Sequence, residues 1–362
     1  EKKLVDIWKE VLGIEKVGMN DNFFELGGHS LKAMTLLLKI NEEFNKEFSI
    51  NHTFALPTIK EFVSAMKNFE ERAIKPHVEN AILLKKADKI QNKDEINLFF
   101  IHDSTGEVGG YIQLASRIGK NINCWGIKAD SRDTYSPDNL SIEQLAEKYI
   151  RIIKNIQPKG SYNIAGWSLG GIIAFEIVRQ LEDNNEEIGN LILLDSYIRS
   201  GNLHKGILQD NFTAEKEKIQ ILNYTEDIEL YKEISNNEDL EEVWETTVEY
   251  MEQKDISLIK SNLPTEYASI IPNFADIKIS ELIYAINTNR TLSRAANLYR
   301  PHNKVKKQAF LLKAEENIDP IEDVWNNYFE KQVIVNKTRG DHYTMIKTEN
   351  VKFVVMKLEE YF

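Results

Sequence analysis

The chain has 362 residues, 42% hydrophobic and 28% charged, with 45 Lys and Arg against 57 Asp and Glu for a net charge of -12. That is ordinary for a globular protein with a sizeable core, and the length leaves room for one large domain or two to three smaller ones. Acidic residues run along the whole chain with no basic stripe, which argues against nucleic acid or an anionic membrane as partner.

Leu4, Ile7, Trp8, Val11 and Leu12 recur at helical spacing and predict a helix over 2–12, stopped by Gly13. A loop follows to Gly28, and Ser30 opens a second helix with Leu31, Met34, Leu37, Leu38 and Ile40 on its apolar side. A third begins at Thr58, where Thr58-Ile-Lys-Glu61 is a capping box, and Phe54 and Leu56 are expected to pack beneath the preceding loop. The prediction is a compact helical bundle over 1–71, near the lower size limit for independent folding.

The stretch Asp21-Asn-Phe-Phe-Glu-Leu-Gly-Gly-His-Ser-Leu31 resembles the attachment motif of peptidyl carrier domains of nonribosomal peptide synthetases. That resemblance implies a 4'-phosphopantetheine arm on Ser30, installed by a phosphopantetheinyl transferase. Elementary physics agrees: free N–H groups and the dipole at a helix start suit a phosphodiester. A serine in this position is otherwise a plain N-cap. His29 reads as a packing or recognition residue rather than a catalyst.

Arg72 to Glu79 is charged, contains Pro76 and lacks periodicity, so 72–79 reads as a linker. Beyond it strands and helices alternate. Strands are predicted over 81–85, 97–102 and 123–129, the last holding Cys124, which reads as a buried residue. Cys124 is the single cysteine, so no intrachain disulfide can form and a reducing, cytoplasmic setting is expected. A capping box, Ser141-Ile-Glu-Gln144, starts a helix to about Ile156. Further strands are predicted over 162–165, 190–195, 307–314 and 332–335. Short apolar strands alternating with helices imply a mainly parallel sheet covered on both faces, with functional residues at its carboxyl edge. From about 200 to 301 the pattern is helical, for example 214–223, 240–254 and 280–298, and reads as a lid over a cleft. No run is apolar enough for a membrane span, and Glu1-Lys-Lys-Leu is not expected to open a signal peptide. The first residue is Glu1 rather than Met, so an excised piece of a longer chain is expected.

Gly166-Trp-Ser168-Leu-Gly170 lies between the strand 162–165 and an apolar helix over 171–181, the strand–turn–helix setting of a nucleophile elbow. Side chains at Gly166 or Gly170 would collide across so sharp a turn. A serine hydroxyl needs a positioned base and the base an orienting carboxylate. Asp195 ends the next strand, and His342 follows the last one. Of the seven histidines, His29 and His52 fall in the bundle, His77 in the linker, His102 at a strand end, and His204 and His302 at the edges of the helical stretch. Asp341 is the alternative acid, but chain neighbours rarely face each other correctly. The backbone N–H of Leu169 is the expected first donor to an oxyanion, and Ser104, in the loop 103–110, the expected second.

Gly166-Trp-Ser-Leu-Gly-Gly171, Leu194-Asp195 and Gly340-Asp-His-Tyr-Thr-Met345 make the second unit resemble terminal thioesterase domains of the same synthetases. The resemblance implies a small all-α, acyl-carrier-like bundle followed by an α/β-hydrolase domain (80–362) with a helical lid. It gives Ser168, Asp195 and His342 the nucleophile, acid and base roles, without a metal. It further implies upstream condensation and adenylation domains, a peptidyl or acyl thioester substrate, and secondary metabolism of the antibiotic or siderophore kind. The family often has proline after the strand-end histidine, where this chain has Asp103. A carrier–thioesterase pair of a polyketide or fatty-acid line, an esterase with a fused helical domain, and a non-catalytic binding module are the other readings.

Overall fold

The computed structural model describes residues 2–23, 26–28, 30–44, 48, 53, 56–67, 80–88, 94–130, 140–198, 213–251, 254, 257–262, 277, 279–347 and 349–362. His29, His52, Phe54, His77, His204 and the expected linker 72–79 lie outside them.

The first unit holds α1 (Lys2–Leu12), α2 (Ser30–Phe44) and α3 (Ile59–Lys67). Leu4, Trp8 and Leu12 share one face of α1 because 3.6 residues complete a turn, and all three are buried. Trp8 meets Phe23 and Phe62 edge-on, with ring centroids 5.1 and 6.4 Å apart. Leu36, Leu37 and Ile40 of α2 complete the same cluster. The capping box is formed: Thr58 N–H donates to Glu61 Oε2 at 3.0 Å, and Glu61 N–H donates to Thr58 Oγ1 at 3.3 Å.

The second unit is built on a seven-stranded sheet: β1 (Ala81–Lys85), β2 (Ile96–Ile101), β3 (Ile122–Ile127), β4 (Tyr162–Trp167), β5 (Ile188–Leu194), β6 (Ala309–Ala314) and β7 (Ile334–Thr338), ordered β1-β3-β2-β4-β5-β6-β7. Only β1 runs antiparallel to its neighbour. β4 is buried at every position, as a central strand covered on both faces must be. Register aligns the carboxyl ends: Ile101 pairs with Gly166, Trp167 with Leu194, and Leu194 with Leu312. The strand order reverses between β2 and β4, so the loops after them diverge and open a crevice.

The intervening helices are α4 (Ile112–Arg117), α5 (Ile142–Ile156) and α6 (Leu169–Asp183), then α7 (Ala214–Thr225), α8 (Ile228–Ile234), α9 (Leu240–Met251), α10 (Ser257–Asn262) and α11 (Ile279–Leu298), and finally α12 (Ile321–Asn326) and α13 (Val351–Leu358). α5, α6 and α12 cover one face of the sheet; α4 and α13 cover the other. Ser141 and Gln144 form the predicted cap of α5. The described part of 200–301 is helical, with its own core of Ile221, Leu230, Val243, Trp244, Leu282 and Ile286. α11 belongs to two cores at once: Leu282 and Ile286 sit in that cluster, whereas Leu292, Ala295 and Ala296 sit among the residues covering the sheet. β7 starts two residues later than its hydropathy predicts. It is an edge strand, and Ile334 and Val335 are each 38% exposed, so apolar content there does not report burial.

Candidate active site

Ser168 follows β4 and precedes α6, with φ 55° and ψ -124°, a conformation that strains a residue carrying a Cβ. Three glycines permit the turn. A Cβ on Gly166 would lie 2.1 Å from the Gly170 backbone, one on Gly170 2.5 Å from the Ile101 carbonyl oxygen, and one on Gly171 2.4 Å from the Ser196 side chain. Leu169 is the first residue of α6, so its N–H has no carbonyl four residues back in the helix to satisfy it.

The structure brings the three expected side chains together. Ser168 Oγ lies 3.0 Å from His342 Nε2, and His342 Nδ1 lies 2.8 Å from Asp195 Oδ2. A carboxylate only accepts, so Nδ1 carries the proton and the Nε2 lone pair faces the serine. Asp195 is fully buried in left-handed backbone, φ 43°. Its Oδ1 accepts the Ala314 N–H at 2.9 Å, and Asn317 Nδ2 donates to both oxygens at 3.1 Å. Asp341, the alternative acid, turns away: its Oδ1 accepts the N–H groups of Tyr343 and Thr344 and the Thr344 hydroxyl. Burial alone would raise that carboxyl, but the hydrogen bonds from Thr344 and Tyr343 hold it below the ordinary value.

Sequence reading missed Trp167, Tyr111 and Asn317. Trp167 donates its indole N–H to the His342 carbonyl at 3.0 Å and lays its ring against the imidazole, centroids 5.1 Å apart and tilted by 30°. The Tyr111 hydroxyl accepts the Trp167 N–H at 2.7 Å and donates to the Ile101 carbonyl at 2.7 Å. It bridges β2 and β4 where their ladder ends. Trp167 had a signal, as the variable position of the elbow motif; the other two had none.

In the loop after β2, His102 is fully buried, with Nδ1 2.7 Å from the Asp103 carbonyl and Nε2 2.6 Å from the Tyr149 hydroxyl. Burial pushes its pKa down to about 4, so the ring is neutral. Asp103 is 8% exposed, and its Oδ1 accepts the N–H and hydroxyl of Thr105 at 2.7 and 2.6 Å. Burial pushes its pKa up to about 6. Ser104 is half-buried in the turn between them. Cys124 is buried, and burial pushes its thiol up to about 12, so it is not a reactive thiolate.

In the first unit, Ser30 is the opening residue of the 15-residue helix α2. A Cβ on Gly28 would lie 2.2 Å from the Phe23 ring, so the chain passes close over that aromatic. Gly27, at φ +91°, would meet nothing within 4 Å. A serine at a helix start fits a phosphate ester.

A family model for the phosphopantetheine attachment site matches residues 2–66, and one for the thioesterase domain matches residues 96–361. The chain belongs to the thioesterase family. Its thioesterase domain follows a phosphopantetheine carrier domain, the carrier–thioesterase pairing of nonribosomal peptide synthetases. Tyrocidine synthase 3 of Brevibacillus parabrevis is 34% identical over 241 residues, 64% of this chain and 3% of that one. A dimodular nonribosomal peptide synthase of Bacillus subtilis (strain 168) is 32% identical over 197 residues, 54% of this chain and 8% of its own length. The chain therefore spans a small fraction of the curated relatives it matches. The fold is shared with the holo form of AB3403, a four-domain nonribosomal peptide synthetase, at 22% identity and TM-score 0.58 over 100% of this chain and 26% of that one. It is shared also with the NocB thioesterase domain, solved with a fluorophosphonate nocardicin G analogue, at 17% identity and TM-score 0.50 over 73% and 93% of the two chains.

Proposed function

We propose that this chain releases a finished acyl or peptidyl group from a synthetase, with Ser168 as nucleophile, His342 as general base and acid, and Asp195 as the orienting carboxylate. The observation that supports this most is the continuous line Ser168 Oγ–His342 Nε2, 3.0 Å, and His342 Nδ1–Asp195 Oδ2, 2.8 Å, at the carboxyl edge of the sheet. Ser168 Oγ attacks the thioester carbonyl and its proton passes to Nε2. The carbonyl electron pair moves onto oxygen, where the N–H of Leu169 and, as second donor, that of Ser104 stabilise it. Collapse expels the thiol, protonated by His342, and leaves an ester on Ser168. Water, or a nucleophile within the acyl chain, then attacks with His342 again as base, giving hydrolysis or cyclisation.

Ser30 is the attachment residue in this reading. When bound there, 4'-phosphopantetheine supplies a flexible arm ending in the thiol that carries the acyl group. A phosphopantetheinyl transferase installs it, and condensation and adenylation domains upstream in a longer protein load it. The proposed organisation is a carrier domain over 1–71, a linker over 72–79 and a thioesterase domain over 80–362, with its lid at about 200–301.

Ser168→Ala tests the reading by intact mass. The acyl group loaded on Ser30 is expected to persist, with release slowed at least about ten-thousand-fold. Release at the wild-type rate refutes the role of Ser168. Ser30→Ala is expected to take up no arm.

A further inference from the structure

Asp103 is not explained by the reaction so far. It sits two residues past the end of β2, whose Ile101 pairs with Gly166 just before Ser168, so it lies at the same edge of the sheet as the Ser168–His342 pair. Thr105 saturates Oδ1 with two hydrogen bonds. Oδ2 has no such partner among the described residues and is not sealed from solvent. No Lys or Arg pairs with Asp103 among the described residues; Lys128, beside this loop, is held by Glu107 at 2.8 Å. Glu107 adds a second negative charge nearby.

A carboxylate here is costly twice over. It is desolvated without a counter-ion. It also opposes the negative charge that grows on the substrate carbonyl at the neighbouring donors. A lysine or arginine beside it would relieve both costs, and none pairs with it among the described residues. A cation arriving with the substrate would relieve both at the moment of reaction.

We infer that Asp103 is a specificity-determining residue whose Oδ2 receives a primary ammonium carried by the acyl residue adjoining the thioester. The inference rests on the release reaction proposed above and narrows its substrate. The acyl group bears a cationic amine within a few bonds of the scissile carbonyl, either an α-ammonium or one on a short side chain. The ammonium neutralises the carboxylate through a charge-assisted hydrogen bond. At neutral pH the carboxyl is ionised, its pKa lying at about 6.

The competing explanation is that Asp103 only shapes the loop through Thr105. Asp103→Asn separates the two, because an amide oxygen accepts the same two bonds without the charge. Two isosteric pairs of N-acetylcysteamine thioesters serve as probes: alanyl against lactyl, and β-alanyl against 3-hydroxypropionyl. Each pair differs by ammonium for hydroxyl. After subtraction of spontaneous hydrolysis, the wild-type protein is expected to favour the ammonium member of at least one pair by about 10- to 100-fold in kcat/KM, the scale of a charged hydrogen bond. In Asp103→Asn that ratio is expected to fall to near one. Equal rates within both pairs for the wild type overturn the inference, whether or not the variant folds. So does a variant that keeps the ratio, which assigns Asp103 to loop shape. If the wild type releases none of the four, the release reading itself fails.

Discussion

Gly170 illustrates how tightly the elbow is constrained. Its missing Cβ is replaced by the carbonyl oxygens of Ile101 and His102, at 2.5 and 2.6 Å from where that Cβ would lie. Backbone cannot move aside as a side-chain tip can, so Gly170→Ala is expected to abolish the folded second unit, read as loss of its thermal transition. Trp167 acts more subtly, fixing the His342 carbonyl through one N–H. Trp167→Phe keeps an aromatic ring and loses that bond. On the proposed mechanism about a tenfold fall in kcat is expected with KM nearly unchanged, since a loosened His342 affects the reacting geometry rather than binding. The neighbours His102 and Asp103 respond to acid in opposite senses. His102, at about 4 when folded against 6.5 ordinarily, binds its proton in the unfolded chain first, so its contribution is lost as pH falls from 6.5 to 4. Asp103, at about 6 against 3.8, binds its proton in the folded state first, so its contribution is lost as pH rises from 3.8 to 6. Asp103→Asn removes the second effect alone. The variant is expected to exceed the wild type by about 3 kcal/mol above pH 6 and to lose that advantage near pH 4. Urea unfolding at pH 4 and 7.5 checks this.

Among the helices, α6 and α11 matter most. α6 starts just after Ser168 and carries Glu176, fully buried within its third turn. Arg179 holds that carboxylate with Nε and Nη2, each at 2.7 Å, and Gln180 donates at 2.8 Å. Tyr299, just past α11, donates its hydroxyl to the same group. α6 and the chain just past α11 are thus tied by one buried ion. Glu176→Ala would leave Tyr299 without an acceptor and Arg179 with Asp183 alone as counter-ion, a loss of about 2–3 kcal/mol in the unfolding free energy of the second unit. α11 also reaches the loop after β2: a Cβ on Gly106 would lie 2.8 Å from Thr288 Cγ2. α11 therefore packs directly against the loop that holds Asp103 and Ser104.

Among the described residues, the apolar clusters divide by unit. Trp8, Phe23, Phe62 and their neighbours form one, drawing on the first unit alone; the clusters flanking the sheet and the helical cluster around Val243 and Leu282 draw on the second alone. Calorimetry is expected to show two transitions, the smaller unit melting first because a bundle this short buries a smaller share of its surface. One cooperative transition would contradict that independence. Much of this was readable from local pattern. The glycines around Ser168 answer to contacts within a few residues, the capping boxes to spacings of three, and the strands to their own apolar runs. His342 was recoverable by its order after the last strand. The remainder was not. The Trp167 indole meets a carbonyl 175 positions away, Tyr111 meets the Trp167 N–H 56 positions away, and Asn317 meets Asp195 across 122. Periodicity records which side of an element faces away from water. It carries no information about which distant polar group waits there, because that partner is set by how the strands and helices stack.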